Sequence, residues 1–101
     1  MKFSAVAILA LFAGANAVEM KACAKKDMSG TCTAKTSNGK STGTWNSYNF
    51  RASSGKCVRI CKDCDSLGFR CQDYSNSNIS FNKFIIFSWA NGDGPDATTC
   101  C

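Results

Sequence analysis

The eight cysteines are the residues of this chain whose type and spacing most directly indicate chemistry. Their spacing is Cys23-x8-Cys32-x24-Cys57-x3-Cys61-x2-Cys64-x6-Cys71-x28-Cys100-Cys101. Cys61 and Cys64 are separated as in a redox pair or in half of a zinc site. The chain has no histidine, and no thioredoxin-like βαβ pattern surrounds the pair. We therefore favour structural disulfides for all the cysteines, and we expect no metal and no cofactor.

Cys100 and Cys101 limit how the cysteines can pair. A bond between adjacent cysteines requires a strained ring and poor disulfide geometry. Each of the two should therefore bond to a different partner, which attaches this end of the chain to two separate points of the fold. This argument removes only some of the pairings that eight cysteines allow. The connectivity stays open.

Residues 1–17 have the composition of a secretion signal. Lys2 precedes an apolar run over residues 3–13 that is too short to span a bilayer, and Ala15-Asn16-Ala17 has the small residues that a signal peptidase requires. We predict cleavage after Ala17 and one secreted, extracellular domain of residues 18–101, with no membrane anchor. Such a compartment is oxidising, which favours disulfides in a chain too small for a large apolar core.

Basic residues outnumber acidic ones in the predicted mature chain. Eleven lysines and arginines against seven aspartates and glutamates give residues 18–101 a net charge of +4. Such a charge attracts anionic microbial surfaces and polymers, but it is also common in small soluble domains that bind nothing anionic. We expect no nucleic-acid partner. The candidate binding surface comprises Lys25, Lys26, Trp45, Arg51, Lys56, Arg59 and Lys62.

The sequence gives no indication of a catalytic site. Histidine, the most common general base, is absent. Glu19, the only glutamate, lies near the predicted mature N-terminus, which we expect to be poorly ordered. The aspartates lie beside turn residues, lysine or cysteine, where solvated carboxylates are the simpler interpretation: Asp27, Asp63, Asp65, Asp73, Asp93 and Asp96. We predict no catalytic residues and no enzyme activity.

Two short motifs suggest other roles. Asn78-Ile79-Ser80 is an N-glycosylation sequon on a predicted polar loop, so Asn78 is a candidate glycosylation site. Asp93-Gly94-Pro95-Asp96 lacks the alternating ligands and terminal glutamate of an EF-hand loop. We therefore interpret residues 91–96 as a turn.

The composition predicts strands rather than helices, because leucine is scarce and Ser, Thr, Asn, Gly and aromatic residues are abundant. Predicted strands cover residues 31–36, 40–50, 56–61, 69–74 and 79–90. Asn38-Gly39 is expected to form a tight hairpin turn between the first two, and residues 65–68 another turn. A helical turn over residues 57–64 is the alternative interpretation of the cysteine spacing.

Alternation along the central strands predicts their faces. In residues 40–50, Tyr48 and Phe50 share one face, and Trp45 lies on the other beside polar neighbours. Trp45 is therefore the aromatic residue most expected to be exposed for a ligand. In residues 56–61, Val58 and Ile60 point away from Arg59, which shares its face with Cys57 and Cys61.

Residues 79–90 form the most hydrophobic segment of the mature chain. One face carries Ile79, Phe81, Ile85, Phe87 and Trp89, and the other carries Phe84 and Ile86. A strand that is apolar on both faces is buried on both sides, so we expect it near the centre of a sheet. These elements predict a small disulfide-rich, all-β or β-dominated domain, a compact antiparallel sandwich or barrel with four disulfides. An irregular disulfide knot is the alternative.

The predicted signal, the eight cysteines and the short, basic, β-prone body resemble the small secreted cysteine-rich proteins of filamentous fungi. That class contains effector candidates and antifungal proteins. The spacing differs from that of hydrophobins, whose paired cysteines are internal, and from that of defensins, which have a Cys-x-Cys near the end. The resemblance implies a secreted, protease-resistant effector that binds a host protein or a cell-wall glycan, and we expect a monomer. A cationic antimicrobial or killer-toxin-like protein that acts on competing microbes is the alternative.

Overall fold

Eight β-strands make up the regular secondary structure in the part of the chain that this computed structural model describes, residues 17–53, 55–89 and 99–101. The strands are β1 (Glu19–Lys25), β2 (Ser29–Lys35), β3 (Gly39–Trp45), β4 (Ser47–Arg51), β5 (Lys56–Lys62), β6 (Asp65–Arg70), β7 (Tyr74–Asn76) and β8 (Phe81–Ser88). They form two antiparallel sheets. Sheet A has the order β2-β1-β4-β7, and sheet B has the order β3-β8-β5-β6. Residues 1–16 of the predicted signal and the predicted turn over residues 91–96 lie outside the described residues.

One apolar core joins the two sheets, because alternate residues of their central strands point inward. Sheet A contributes Met20, Ala22, Tyr48 and Phe50, and sheet B contributes Val58, Ile60, Phe84 and Ile86. All of these side chains are buried. The predicted antiparallel β fold is therefore confirmed as a sandwich rather than an irregular knot.

The hairpin of β1 and β2 was not predicted from the sequence. Asp27 and Met28 both have a φ of 59° in its turn, and tight hairpin turns need such positive angles. The expectation that Glu19 is poorly ordered is wrong. Glu19 begins β1, and its Oε1 accepts a hydrogen bond from Arg51 Nη2 of β4 at 2.8 Å.

The predicted hairpin at Asn38-Gly39 is wrong, because β2 and β3 belong to different sheets. Gly39 has a positive φ of 137°, but Asn38 does not have the positive φ that the predicted turn requires. The Asn38 side chain donates to Ser88 Oγ and accepts from Lys56 Nζ, each at 3.0 Å. These contacts hold the segment against the ends of β5 and β8, where it crosses from sheet A to sheet B.

The single strand predicted over residues 40–50 is also wrong. The chain leaves sheet B after Trp45, bends at Asn46 and enters sheet A as β4. In one continuous strand, Trp45 would lie on the face opposite to Tyr48 and Phe50. The bend breaks this alternation, so all three side chains enter the core. Trp45 is 6 % exposed. The expectation that it is available to a ligand is therefore wrong.

A hairpin of β5 and β6 replaces the turn predicted over residues 65–68. The turn lies at Asp63-Cys64, where Asp63 has a φ of 56°. Its amide donates to Asn82 Oδ1, and its Oδ1 accepts from Asn82 Nδ2, both at 2.9 Å. The strand predicted over residues 69–74 is divided, because β6 ends at Arg70 and Tyr74 begins β7 in the other sheet.

The predictions for β5 and the second half of β8 are confirmed. β8 lies between β3 and β5, and it is buried on both faces from Phe84 to Ser88. β5 is a strand rather than a helical turn, and Val58 and Ile60 enter the core. Ile79 and Phe81 were expected on the face of Ile85, but both pack with the core. Phe81 lies 5.3 Å from Trp45 between ring centroids.

All eight cysteines are in disulfides. The pairs are Cys23–Cys32, Cys57–Cys71, Cys61–Cys100 and Cys64–Cys101. Cys100 and Cys101 have different partners, as predicted. Cys100 packs with Cys61 and Ile85 on the outer face of sheet B, and its carbonyl oxygen accepts from Lys83 Nζ. The bridges therefore fix residues 99–101 over the face opposite the core.

Candidate functional site: an aromatic surface at β6

Two exposed aromatic rings meet on the outer face of sheet B. Phe69 lies opposite Arg59 of β5. The Trp89 amide donates to Gly55 O at 2.7 Å, which continues the pairing of β8 with β5 by one residue. The ring centroids of Phe69 and Trp89 are 5.6 Å apart. Exposed aromatic rings in contact form an apolar patch on the surface of the domain.

Arg59 is held over this patch. Its guanidinium carbon lies 5.7 Å from the centroid of the Phe69 ring, and its Nη1 donates to Ser66 Oγ at 2.6 Å. Trp89, Phe69 and Leu67 are 42 %, 37 % and 43 % exposed, the large apolar side chains that face solvent among the described residues. We call Arg59, Ser66, Leu67, Phe69 and Trp89 the β6 surface.

The β6 surface has a rigid base. Cys57 lies opposite Phe87 in the pairing of β5 with β8, and both side chains are buried. The disulfide from Cys57 to Cys71 ties the end of β6 to β5. Because the backbone beneath the rings is covalently fixed, binding there costs less conformational entropy than binding to a loose loop.

Arg70 closes the sandwich next to this surface by reaching from sheet B to sheet A. Its guanidinium carbon lies 3.7 Å from the centroid of the Tyr74 ring, a cation–π contact. It also hydrogen-bonds the Tyr48 hydroxyl. A shallow groove of about 280 Å³ runs along residues 69–74 beside these contacts.

Burial raises the pKa of the Tyr48 hydroxyl above its usual value of 10.0, although the hydrogen bond and charge of Arg70 act in the opposite direction. The folded state therefore disfavours the phenolate. The resulting stabilisation is complete below the pKa of the unfolded chain and is lost as pH rises through the higher pKa of the folded protein. In an absorbance titration, one tyrosine should ionise later than a free tyrosine.

The variant Tyr48→Phe should remove this late step and reduce the loss of stability at alkaline pH, whereas Tyr74→Phe should keep the late step. Ionisation of Tyr48 at or below pH 10 would contradict the burial argument.

The basic residues proposed from the sequence do not form one surface. Lys56 and Lys62 lie at opposite ends of β5, where their Nζ atoms donate to Ser88 Oγ at 2.8 Å and to Ser80 Oγ at 3.3 Å. Arg51 lies in sheet A and is paired with Glu19. Lys25 and Lys26 lie at the exposed end of the β1–β2 hairpin. Of that set, only Arg59 belongs to the β6 surface.

The other sequence-predicted positions are placed as follows. Asn78 is exposed, and its Oδ1 accepts from Asn46 Nδ2 at 3.2 Å. Asp73 Oδ1 accepts from the Ala52 amide at 2.8 Å. Within residues 17–53, 55–89 and 99–101, no three His, Cys, Asp or Glu side chains are grouped as metal ligands.

A second, wider groove of about 580 Å³ lies at the opposite end of sheet B. It is lined by Thr42, Gly43, Thr44, Asp63, Cys64, Asn82, Lys83 and Cys101. Asp63 and Asn82 already satisfy each other by two hydrogen bonds. The polar groups of Asp63 and Asn82 are therefore less available to a ligand than the polar lining of this groove alone would indicate.

The β6 surface was missed in the sequence because Leu67 and Gly68 resemble a turn and Trp89 continues a buried strand. The available signal was that Leu67 and Phe69 are two large apolar residues in an otherwise polar segment between Cys64 and Cys71. No protein-family model, no curated protein and no solved structure matches this chain. The described residues contain no helix that is long and apolar enough to cross a membrane.

Proposed function

We propose that this protein is an extracellular interaction protein that binds another protein through the β6 surface. The observation that supports this proposal most directly is that Trp89 and Phe69 are exposed and in contact, with Arg59 held over the patch. Tryptophan and arginine are enriched among the residues that dominate protein–protein binding energy. Four disulfides in so small a domain are typical of extracellular proteins.

A protein partner suits this surface better than a glycan. The planes of Phe69 and Trp89 are tilted by 41°, so the rings form one compact knob rather than a flat platform for a sugar ring. Leu67 adds aliphatic area beside them. A partner that buries such a knob in an apolar pocket removes all of these side chains from water.

The finer proposal is that the partner is a host protein and that this protein is a secreted effector. Its support is the resemblance to small secreted cysteine-rich fungal proteins. The bridges add a second argument, because covalent cross-links suppress the local opening that proteases need.

The test is affinity capture with the oxidised protein from host extracellular fluid, with isolated wall polymers as a parallel bait. Trp89→Ala and Phe69→Ala should each reduce capture of a specific protein at least about tenfold. Thr33→Ala, on exposed β2 of sheet A, is the matched control and should leave capture unchanged. Capture that is equal for all variants would overturn the proposed surface, and retention on wall polymers alone would replace the protein partner by a glycan.

The antimicrobial alternative rests on a different feature. The β1–β2 hairpin carries four lysines, Lys21, Lys25, Lys26 and Lys35. Attraction of such a hairpin to an anionic surface would be weakened by salt. The protein should then inhibit microbial growth, salt should suppress this inhibition, and Trp89→Ala should leave it intact. That result would favour the antimicrobial function over protein binding through the β6 surface.

A further inference from the structure

Within the described part of the chain, β6 is an edge strand of sheet B. All six of its residues are exposed, and among the described residues it pairs only with β5. The far edge of such a strand presents backbone amides and carbonyls that can pair with another strand. The identity of a suitable strand depends on which side chains β6 places along that edge.

A bulge sets the faces of β6. Arg59 pairs with Phe69 and Cys61 pairs with Ser66, so Leu67 and Gly68 together oppose the single residue between Arg59 and Cys61. Gly68 has a φ of 112°, a conformation that bulge positions favour and that glycine adopts without steric cost.

The bulge changes which residues share a face. Ser66 and Phe69 both lie on the outer face, because their partners Cys61 and Arg59 do. Asp65 and Arg70 both lie on the opposite face, because their partners Lys62 and Val58 do. In an unbulged strand, residues three or five positions apart would point to opposite faces.

We propose that β6 pairs antiparallel with β6 of a second copy of this chain, about a two-fold axis at the Leu67–Gly68 bulge. This alignment places Asp65 of each copy opposite Arg70 of the other, and Ser66 opposite Phe69. The paired residues lie on the same face, as an antiparallel ladder requires. Two opposite-charge pairs form by symmetry, and each stabilises the alignment.

The other edge strands lack this self-complementarity. β2 and β3 carry lysine as their only charged residue type, and β7 carries no charge. Antiparallel self-pairing of any of them forms no opposite-charge pair. β6 alone among these edges carries an acidic residue at one end and a basic residue at the other.

The dimer has a consequence for partner binding, and this consequence rests on the proposed function. A two-fold axis perpendicular to the sheet makes sheet B continuous across both copies and places both β6 surfaces on the same side. Two linked binding surfaces hold a multivalent partner more tightly than either surface alone. One short strand pair buries less area than a stable interface, so association should be weak and concentration-dependent.

The unmodified protein provides the first test, with no partner present. Sedimentation equilibrium over increasing concentration should show a monomer–dimer equilibrium. Hydrogen exchange of β6 amides should slow as concentration rises, whereas amides of edge strand β2 should exchange at a constant rate. A protein that stays monomeric at about millimolar concentration, or β6 amides whose exchange does not change, would overturn the dimer.

Charge variants test the alignment. Asp65→Arg should lower the association constant at least about tenfold, because it changes two attractive pairs into repulsive ones. Arg70→Glu should do the same, and an equimolar mixture of the two variants should associate again, since all facing charges are then opposite. Asp65→Asn should weaken association, whereas Asp27→Asn, with the same change in net charge, should not.

The variants also separate this dimer from other outcomes. Self-association that Asp65→Arg leaves unchanged would place the interface elsewhere and overturn the proposal. If Arg70→Glu fails to fold because Arg70 packs on Tyr74, hydrogen exchange of the β6 amides in the wild-type protein and in Asp65→Arg still tests the dimer. The proposed function fails separately, through equal partner capture by the Trp89 and Thr33 variants.

Discussion

Replacing Gly43 by alanine is expected to lower the free energy of unfolding by about 2–3 kcal/mol, because the new methyl group collides with a buried ring. A Cβ at this position would lie 2.6 Å from Trp45 Cζ2 and 2.9 Å from Trp45 Cε2. The indole is packed in the core, so it cannot shift without disturbing its neighbours. It is 6 % exposed, and the Phe84 ring centroid lies 5.1 Å from its own.

The backbone conformation of Gly43 separates the steric collision from backbone strain as the cause of a stability loss. Gly43 does not have a positive φ, so alanine at an unhindered position there would stabilise the protein by about 0.4–1 kcal/mol through the unfolded chain. Any loss of stability therefore reports the collision. With the disulfides intact, thermal unfolding of Gly43→Ala should shift downward by roughly 10–20 °C.

The control is a double-mutant cycle with Trp45→Phe, which removes the atoms that the new methyl group meets. Gly43→Ala should cost much less in that background than in the wild-type protein. An equal cost in both backgrounds would contradict the steric explanation.

Local alternation in the sequence was sufficient to predict the sandwich. Val58 and Ile60 entered the core, and β8 took the centre of sheet B, because a strand that is apolar on both faces is stable only where both faces are covered. The separate partners of Cys100 and Cys101 followed from covalent geometry alone. These features depend on neighbouring residues or on bond geometry, which a single sequence contains.

The strand partners were not predictable by the same means. Asn38-Gly39 has the sequence of a hairpin turn, but a turn propensity does not determine which strand pairs with β2, and Asn38 does not adopt the positive φ of such a turn. β1 does so, because Met20 and Ala22 bury against the core and the Cys23–Cys32 bridge fixes the register. Pairing is decided by burial of the whole sheet, and turn propensity contributes only part of that free energy.

The same limit explains why the two tryptophans exchanged their expected roles. Trp45 has polar neighbours in sequence, but the bend at Asn46 turns it inward. Trp89 continues an apolar strand, but it follows the last residue of β8 and faces solvent beside edge strand β6. Whether a ring is a core residue or a surface residue depends on strand order, which alternation does not specify.

Removing the Cys61–Cys100 and Cys64–Cys101 bridges together is expected to cause the largest loss of stability, about 4 kcal/mol, because cross-linking distant residues removes the most freedom from the unfolded chain. Both bridges must be removed, because either one alone still closes nearly the same loop. The cysteines of these two bridges are 39 and 37 positions apart, whereas Cys23 and Cys32 are 9 apart. The same model gives about 2.7 kcal/mol for the shorter bridge. Without Cys100 packed on it, Ile85 on the outer face of sheet B would also lose cover.

The measurement is denaturant unfolding of the variant in which Cys61, Cys64, Cys100 and Cys101 are all replaced by alanine, and of Cys23→Ala/Cys32→Ala, each with its remaining bridges verified by intact mass. The first should unfold at the lower denaturant concentration. The shorter bridge also joins directly paired strands, so backbone pairing holds its ends together after the sulfurs are removed. Equal losses, or a larger loss from the Cys23–Cys32 variant, would show that local packing rather than loop length sets the contribution of each bridge.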